Sequence, residues 1–151
     1  MLQNRDWIEL LSLFNACNIR YMVVGGYAVM RYTEPRFTKD LDLWIATDIG
    51  NATAVYDALK TFGAPLANLT AEDFSVPGYF YQMGRPPLRV DIMLSIPGPA
   101  FEDAWDRRET VSISGESIPF ISREDLIQAK RASGRPQDLI DVASLSKTDM
   151  K

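Results

Sequence analysis

The sequence predicts an α+β fold in which helices flank a mixed, mostly antiparallel sheet. Short apolar runs of strand length are interspersed with amphipathic stretches of helical period. Two turn sequences, residues 84–87 and 114–116, each separate a pair of such runs and indicate hairpins. No repeat or linker-like tract divides the 151 residues, so we expect one domain spanning 1–151.

The helices and strands follow from periodicity and from the residues that end each element. Helical spacing of apolar side chains predicts helices over 5–17, 27–32, 53–62, 100–108, 123–133 and 137–147. Apolar or alternating runs predict strands over 19–24, 40–46, 79–83, 88–94, 111–113 and 117–121. Gly63 closes the third helix, whereas Ser122 caps the fifth and Gly134 ends it. Thr70 is placed to cap a single helical turn in the otherwise irregular stretch 64–77.

Composition excludes several classes of chemistry. The chain has no histidine and one cysteine, Cys17, which we expect to pack in the core. Histidine-dependent nucleophilic catalysis and zinc held by histidine or several thiolates are therefore excluded. The net charge of −4 argues against a broad nucleic-acid-binding face. Because no apolar run reaches the roughly 18–20 residues of a membrane span, and no signal peptide is visible, we expect a cytoplasmic protein without membrane contact.

Two acids at the start of a strand are the strongest candidates for chemistry. Asp40 and Asp42 are separated by one residue, so both side chains lie on the same face of the strand. Their Cβ atoms are roughly 6.5–7 Å apart, a spacing that suits two acids reaching one metal ion or a pair. Leu41 and Leu43 are then expected to face the core.

A third acid, Asp91, lies in an otherwise apolar strand. An unpaired carboxylate buried there would be costly. A bound cation, an arginine or exposure at a sheet edge could each offset that cost.

The pair Gly25-Gly26 stands between a predicted strand and a predicted helix. Glycine lets the backbone approach a ligand closely, and the first turn of a helix presents free N–H groups to a phosphate. A tight turn without a ligand is the alternative explanation.

Taken together, these motifs resemble the DNA polymerase β-like nucleotidyltransferase superfamily. Its pattern is a glycine pair or Gly-Ser, roughly a dozen residues, and Asp-x-Asp; here thirteen residues separate Gly26 from Asp40. The stretches Val-Val-Gly-Gly-Tyr-Ala-Val at 23–29 and Arg-Phe-Thr-Lys-Asp-Leu-Asp-Leu at 36–43 look like bacterial nucleotidyltransferases related to AbiEii-type toxins. The segments 124–130 and 134–141 resemble the same proteins.

The resemblance implies a nucleotidyltransferase fold and assigns roles to the acids. Asp40 and Asp42 would bind Mg²⁺ or Mn²⁺ together with a nucleoside triphosphate. Asp91 would share the metal site and help to activate the attacking hydroxyl. The metal pair of such enzymes stabilises the entering and leaving oxygens. The sequence departs from the pattern at Gly26, where relatives carry a serine whose hydroxyl binds phosphate.

Several further residues have two explanations. Arg36, Thr38 and Lys39 precede the acid pair and could contact phosphates, or they could be solvated loop residues. Lys130 could reach the triphosphate from the fifth helix, or it could pair with Asp138 or Glu124. The aromatic run 79–81 could stack on a base, although one or two of its members are expected to pack in the core.

Two functions fit the sequence. The first is an enzyme that transfers a nucleoside monophosphate to a hydroxyl of RNA, protein or a small molecule and releases pyrophosphate. The second is a non-catalytic nucleotide- or protein-binding module of the same fold, antitoxin-like. The three acids favour the enzyme, whereas the missing serine and the short chain favour the module. The resemblance also implies a possible toxin–antitoxin partner protein.

Overall fold

A computed structural model describes residues 5–35, 40–84 and 89–148. The helices are α1 Arg5–Ala16, α2 Gly25–Tyr32, α3 Ile49–Phe62, α4 Phe101–Asp106, α5 Arg123–Ser133 and α6 Pro136–Thr148. The strands are β1 Tyr21–Val24, β2 Asp40–Ile45, β3 Phe80–Met83, β4 Arg89–Met93, β5 Glu109–Ile113 and β6 Glu116–Phe120. A short 3-10 helix, Ala71–Ser75, follows α3.

The six strands form one mixed sheet in the order β3-β4-β2-β1-β6-β5. The pairs β1/β2, β3/β4 and β5/β6 are antiparallel, whereas β1/β6 and β2/β4 are parallel. The predicted α+β class and both predicted hairpin pairings are confirmed. The residues 85–88 of the first hairpin turn lie outside the described part of the chain.

Part of the core lies on the sheet face that carries Leu41 and Leu43, and part lies on the opposite face, where Met22 and Trp44 are buried. Both leucines are fully buried, together with Phe14 of α1 and Leu59 of α3. This burial fixes which way β2 faces, because a slip of one residue would exchange its leucines for its aspartates. The core therefore directs Asp40 and Asp42 to the opposite face of the sheet.

Several boundaries differ from the predicted ones for local reasons. Helix α2 begins at Gly25 itself, directly after β1, rather than at residue 27. Helix α3 begins at Ile49 because the Asp48 side chain accepts a hydrogen bond from the Asn51 N–H, a cap that the prediction missed. The capping box predicted at Thr70 is present.

The prediction for Cys17 was wrong. Helix α1 ends at Ala16, and Cys17 lies in the turn that follows, exposed to solvent. Within the described ranges, no helix is long and apolar enough to cross a membrane.

Candidate active site

Gly25 lies where β1 turns directly into α2. Its φ of 69° belongs to the left-handed region that favours glycine. A Cβ built on Gly25 would overlap the Oδ2 atom of Asp42. The position therefore requires glycine for two reasons, its backbone conformation and the close approach of the Asp42 carboxylate.

Strand register places the acids in a row that crosses the sheet. Val24 of β1 lies opposite Asp42 of β2, and Asp42 lies opposite Asp91 of β4. Gln82 of β3 continues the row beyond Asp91. Residues directly opposite each other share a sheet face, so Asp42, Asp91 and Gln82 all lie on the face turned away from Leu41 and Leu43.

The Asp42 carboxyl is the most perturbed acid of this row. Burial raises its pKa from the ordinary 3.8 to about 7. The neighbouring charges of Asp91 and Asp40 and a hydrogen bond with the Asp91 carboxyl also raise this pKa, whereas the positive charge of Lys130 lowers it. Burial disfavours the ionised carboxylate by desolvation, the two neighbouring acids disfavour it by repulsion, and the hydrogen bond favours the protonated form. A bound cation would relieve this crowding.

Arg89 provides a cation beside two of the acids, Asp91 and Asp40. Its guanidinium donates to both Asp91 oxygens, with Nε–Oδ1 at 3.0 Å and Nη2–Oδ2 at 3.1 Å. Its Nε also lies 3.7 Å from Oδ2 of Asp40, its cross-strand neighbour. Of the three explanations open for Asp91, an arginine partner is therefore the one observed.

The carboxylate oxygens of the acid row suit a hard divalent ion chemically, but they do not converge on one point. Carboxylate oxygens are the ligands that Mg²⁺ and Mn²⁺ prefer. Among the described residues, no group of three or more carboxylates is arranged to hold a metal. The guanidinium of Arg89 lies between Asp40 and Asp91, so in this arrangement those two acids pair with an arginine side chain.

The opposite wall of the site comes from α5 and α6. A cleft of about 420 Å³ lies between the Gly25–Asp42 corner and these helices. Lys130 enters it from α5, with its Nζ 3.1 Å from Asp141 and 3.4 Å from Asp138. Both acids are almost fully buried, at 2% and 1% exposure. Lys130 is thus held in place by two buried carboxylates while its charge acts on Asp42.

The family comparison decides what kind of protein carries this site. The family described as "Nucleotidyltransferase of unknown function (DUF6036)" matches residues 6–147. The chain belongs to this family. The match spans both walls of the cleft, including the Gly25–Asp42 corner and Lys130.

Solved structures of other proteins share the fold of this nucleotidyltransferase. The lincosamide antibiotic adenylyltransferase LnuA, solved with lincomycin, has a TM-score of 0.61 and 17% identity over 97% of this chain and 98% of its own. ANT(2")-Ia, solved with adenylyl-2"-tobramycin, has a TM-score of 0.59 and 14% identity over 96% and 87%. An antigenic nucleotidyltransferase-like protein from Paracoccidioides brasiliensis has a TM-score of 0.55 and 20% identity over 93% and 74%.

At these identities the likeness concerns the fold. No curated protein matches the chain in sequence. The nucleotidyltransferase superfamily predicted from the sequence is confirmed, whereas none of the relatives reported above is described as an AbiEii-type toxin.

The nucleotidyltransferase brings together most of the residues singled out in its sequence. Asp40, Asp42 and Asp91 share one sheet face; of the three, Asp42 lines the cleft, and Lys130 lies across the cleft from it. Gly25 and Gly26 line the same cleft, and the positive φ belongs to Gly25. The remaining three candidates, Arg36, Thr38 and Lys39, lie outside the described residues.

The sequence reasoning missed Arg89 and Asp141 as members of the site. Arg89 stands two residues before Asp91 in the same strand, so period-two alternation alone places both on one face. Asp138 and Asp141 are three residues apart on α6 and share a helix face. Asp138 was considered only as a surface partner of Lys130, whereas the structure buries it.

Proposed function

We propose that the protein is a metal-dependent enzyme that transfers a nucleoside monophosphate from a nucleoside triphosphate to a hydroxyl acceptor and releases pyrophosphate. The observation that carries this proposal is the row from Val24, directly before Gly25, through Asp42 to Asp91. It sets a helix N-terminus, a crowded pair of acids and a potential base in the order that nucleotidyl transfer needs.

The triphosphate has two sources of binding groups on either side of the cleft. The residue before α2 is Val24, whose side chain accepts no hydrogen bond, so the N–H groups of the first turn have no side-chain cap. Such N–H groups and the positive end of the helix dipole suit phosphate oxygens. Lys130 adds a positive charge from the facing wall. Gly26, in the first turn, has no side chain to block this approach.

The segment that holds Arg36, Thr38 and Lys39 remains a prediction for further phosphate contacts. In the sequence it directly precedes Asp40. We propose that they bind the triphosphate together with Lys130.

Asp40 and Asp42 are the proposed ligands of Mg²⁺ or Mn²⁺, with Asp91 as a further ligand. A bound metal ion would stabilise the charge on the entering and leaving oxygens of the transfer. The chain's own contribution is to hold three oxygen-donor side chains on one rigid sheet face. Arg89 competes for two of them, so its guanidinium has to leave Asp91 and Asp40 when these acids bind a metal.

Asp91 is also the proposed base. The acceptor hydroxyl loses its proton to the Asp91 carboxylate as its oxygen forms a bond to the α-phosphorus, and the bond to the pyrophosphate oxygen breaks. The bidentate contact with Arg89 occupies both Asp91 oxygens. Release of this contact therefore also frees the base.

The enzyme is favoured over the non-catalytic module by the family and by the site. The family is one of nucleotidyltransferases. The crowding of Asp42, Asp91 and Asp40 costs stability in the ligand-free protein, as is typical of sites that bind ligands or carry out chemistry. A small-molecule acceptor is favoured over RNA or protein because LnuA was solved with lincomycin and ANT(2")-Ia with adenylyl-2"-tobramycin. A toxin–antitoxin partner and a cytoplasmic location remain predictions from the sequence.

The proposal is tested first by binding. Each of the four nucleoside triphosphates should raise the melting temperature only with Mg²⁺ present, because the acids alone repel phosphate. Asp42→Asn should abolish the shift. Asp57→Asn, the same change at an exposed position of α3, is the matched control and should keep it. An equal shift with excess chelator would contradict a metal-bridged site.

A further inference from the structure

The cleft has a polar end and an apolar end. The polar end, where the phosphates are proposed to bind, is lined by Gly25, Gly26, Asp42 and Lys130. The lining also includes five apolar residues: Met93, Ile96, Pro97, Leu126 and Ala129. We propose that the nucleobase binds at this apolar end and is recognised by its faces rather than by its hydrogen-bonding edge, so that adenine and guanine nucleotides bind about equally. This inference rests on the function proposed above and adds the position and the selectivity of the base site.

The register of the sheet sets the distance between the two ends. Met93 lies on the strand next to Asp42, two residues beyond Asp91, the cross-strand neighbour of Asp42, and on the same sheet face. A rise of about 3.3 Å per residue and a strand separation of about 4.8 Å place the Met93 Cα roughly 8 Å from the Asp42 Cα. A ribose bridges such a distance, so an α-phosphate held at Asp42 leaves the base beside Met93.

Two chain segments form the walls of the apolar end. Ile96 and Pro97 follow β4, and each is at least partly accessible to solvent. The other wall is α5, where Leu126 and Ala129 lie three residues apart on one helix face. Gly98 joins the two walls, because a Cβ added to it would lie 3.1 Å from the Ala129 Cα. The loop therefore packs its backbone directly on the helix and holds both walls together.

The polar side chains of the wall formed by α5 and α6 are directed away from a base. Two buried acids of α6, Asp138 and Asp141, hold them in place. These acids form hydrogen bonds or ion pairs with the other described polar side chains of this wall, namely Lys130, Ser133, Arg135 and Gln137. Because their contacts already go to the acids, these side chains are poorly placed to read the edge on which adenine and guanine differ.

The aromatic run 79–81 does not supply the base site. None of its three members lines the cleft. Tyr81 lies on the opposite sheet face, where it packs against Phe74 and donates a hydrogen bond to the Pro65 carbonyl. Tyr79 and Phe80 are exposed at the sheet edge. The apolar contacts to a base therefore have to come from the loop after β4 and from α5.

Binding in the absence of an acceptor tests the inference. Calorimetry with Mg²⁺ measures the dissociation constants of ATP, GTP, CTP and UTP, and of inorganic tripolyphosphate, which has the phosphates but no nucleoside. Ile96→Ala removes part of the apolar wall, and Gln137→Ala removes an amide that could otherwise read a base edge. Ile49→Ala, the same change as the first at a residue that is 55% exposed on α3, is the matched control.

We expect ATP and GTP to bind within about threefold of each other. Both should bind about three- to tenfold more tightly than CTP and UTP, because a purine buries more apolar area. Tripolyphosphate should bind more weakly than any of the four. Ile96→Ala should weaken all four nucleoside triphosphates by about three- to tenfold and leave tripolyphosphate binding unchanged. Gln137→Ala should keep the ratio of the ATP and GTP affinities, and Ile49→Ala should match the unmodified protein in every titration.

Other outcomes overturn the inference in distinguishable ways. A difference beyond about tenfold between ATP and GTP, or a changed ratio in Gln137→Ala, would show hydrogen-bond recognition of the base and refute the selectivity. Equal binding of tripolyphosphate and the nucleoside triphosphates, or unchanged nucleotide binding in Ile96→Ala, would refute the location. If no nucleoside triphosphate binds, the proposed function fails first and the inference fails with it. Binding with the expected ratios but no transfer to any acceptor would refute the proposed function alone.

Discussion

The Asp42 carboxyl should make the metal-free protein less stable as the pH rises from 5 to 8. Its pKa is about 7 in the folded protein, against an ordinary 3.8. A carboxyl whose pKa is raised by folding binds its proton more tightly in the folded state, so its stabilising contribution is present at low pH. The contribution is lost as the pH rises through the folded-state pKa.

The size of the effect follows from the two pKa values. Each unit of pKa difference between the folded and unfolded states corresponds to about 1.36 kcal/mol. The rise of the Asp42 pKa from 3.8 to about 7 therefore lowers the free energy of unfolding by about 2.5 kcal/mol between pH 5 and pH 8. For a chain of this size the loss lowers the melting temperature by about 5–10 °C. Thermal unfolding with chelator present, recorded across this pH range, measures it directly.

Two variants isolate Asp42 from the other acids. Asp42→Asn should flatten the pH profile and be the more stable protein at pH 8, because it removes the crowded charge. Asp57→Asn, an exposed change, should keep the profile of the unmodified protein. Parallel profiles for the unmodified protein and Asp42→Asn would refute the reasoning, since the pH dependence would then come from other groups.

Three further substitutions probe the walls of the cleft. Gly25→Ala should lower the free energy of unfolding by about 1–3 kcal/mol or more and abolish the nucleotide-dependent shift in melting temperature. Gly63→Ala is the control: its φ is 96°, but no atom lies within 4 Å of the added Cβ, so it should lower stability and leave the nucleotide-dependent shift unchanged. Chemical denaturation and thermal shift measure the two effects. Arg89→Gln should bind Mn²⁺ more tightly than the unmodified protein, because a competing cation is removed. Mn²⁺ titrations followed by electron paramagnetic resonance measure this affinity, and weaker binding by the variant would show that Arg89 supports the metal site. Lys130→Met should lower the free energy of unfolding at pH 7 by about 3 kcal/mol, because it removes the lysine that pairs with buried Asp141, whereas Asp138 keeps its contact with Arg135. An unchanged midpoint of chemical denaturation would contradict the pairing of Lys130 with Asp141.

The sequence predicted the parts of the site that depend on local periodicity. The alternation of Asp40 and Asp42 with leucines placed both acids on one face, and burial of Leu41 and Leu43 agrees with it. The position of the glycine pair between the first strand and the following helix was also predicted from local signals. These features depend on residues that are neighbours in the chain, where period-two and capping rules apply.

The parts that depend on long-range register could not be predicted in the same way. No local signal states that β2 and β4 are parallel neighbours, and this pairing alone brings Asp42 beside Asp91. The need for glycine at residue 25 rather than 26 likewise depends on where the Asp42 side chain lies. Arg89 and Asp141 were accessible in principle, since each shares a face with a residue that the sequence reasoning had considered.

The central claim, nucleotidyl transfer at the acid row, is tested most directly by one assay of labelled triphosphate transfer with Mg²⁺ and cell extract. The unmodified protein is compared with Asp91→Asn, Asp42→Asn and the control Asp57→Asn. We predict transfer by the unmodified protein and the control, and a fall of roughly two orders of magnitude or more in Asp91→Asn while nucleotide still binds, as expected for loss of a positioned base. Asp42→Asn should lose binding and transfer together. Equal signals from all four proteins, at the level of the protein-free background, would contradict the claim.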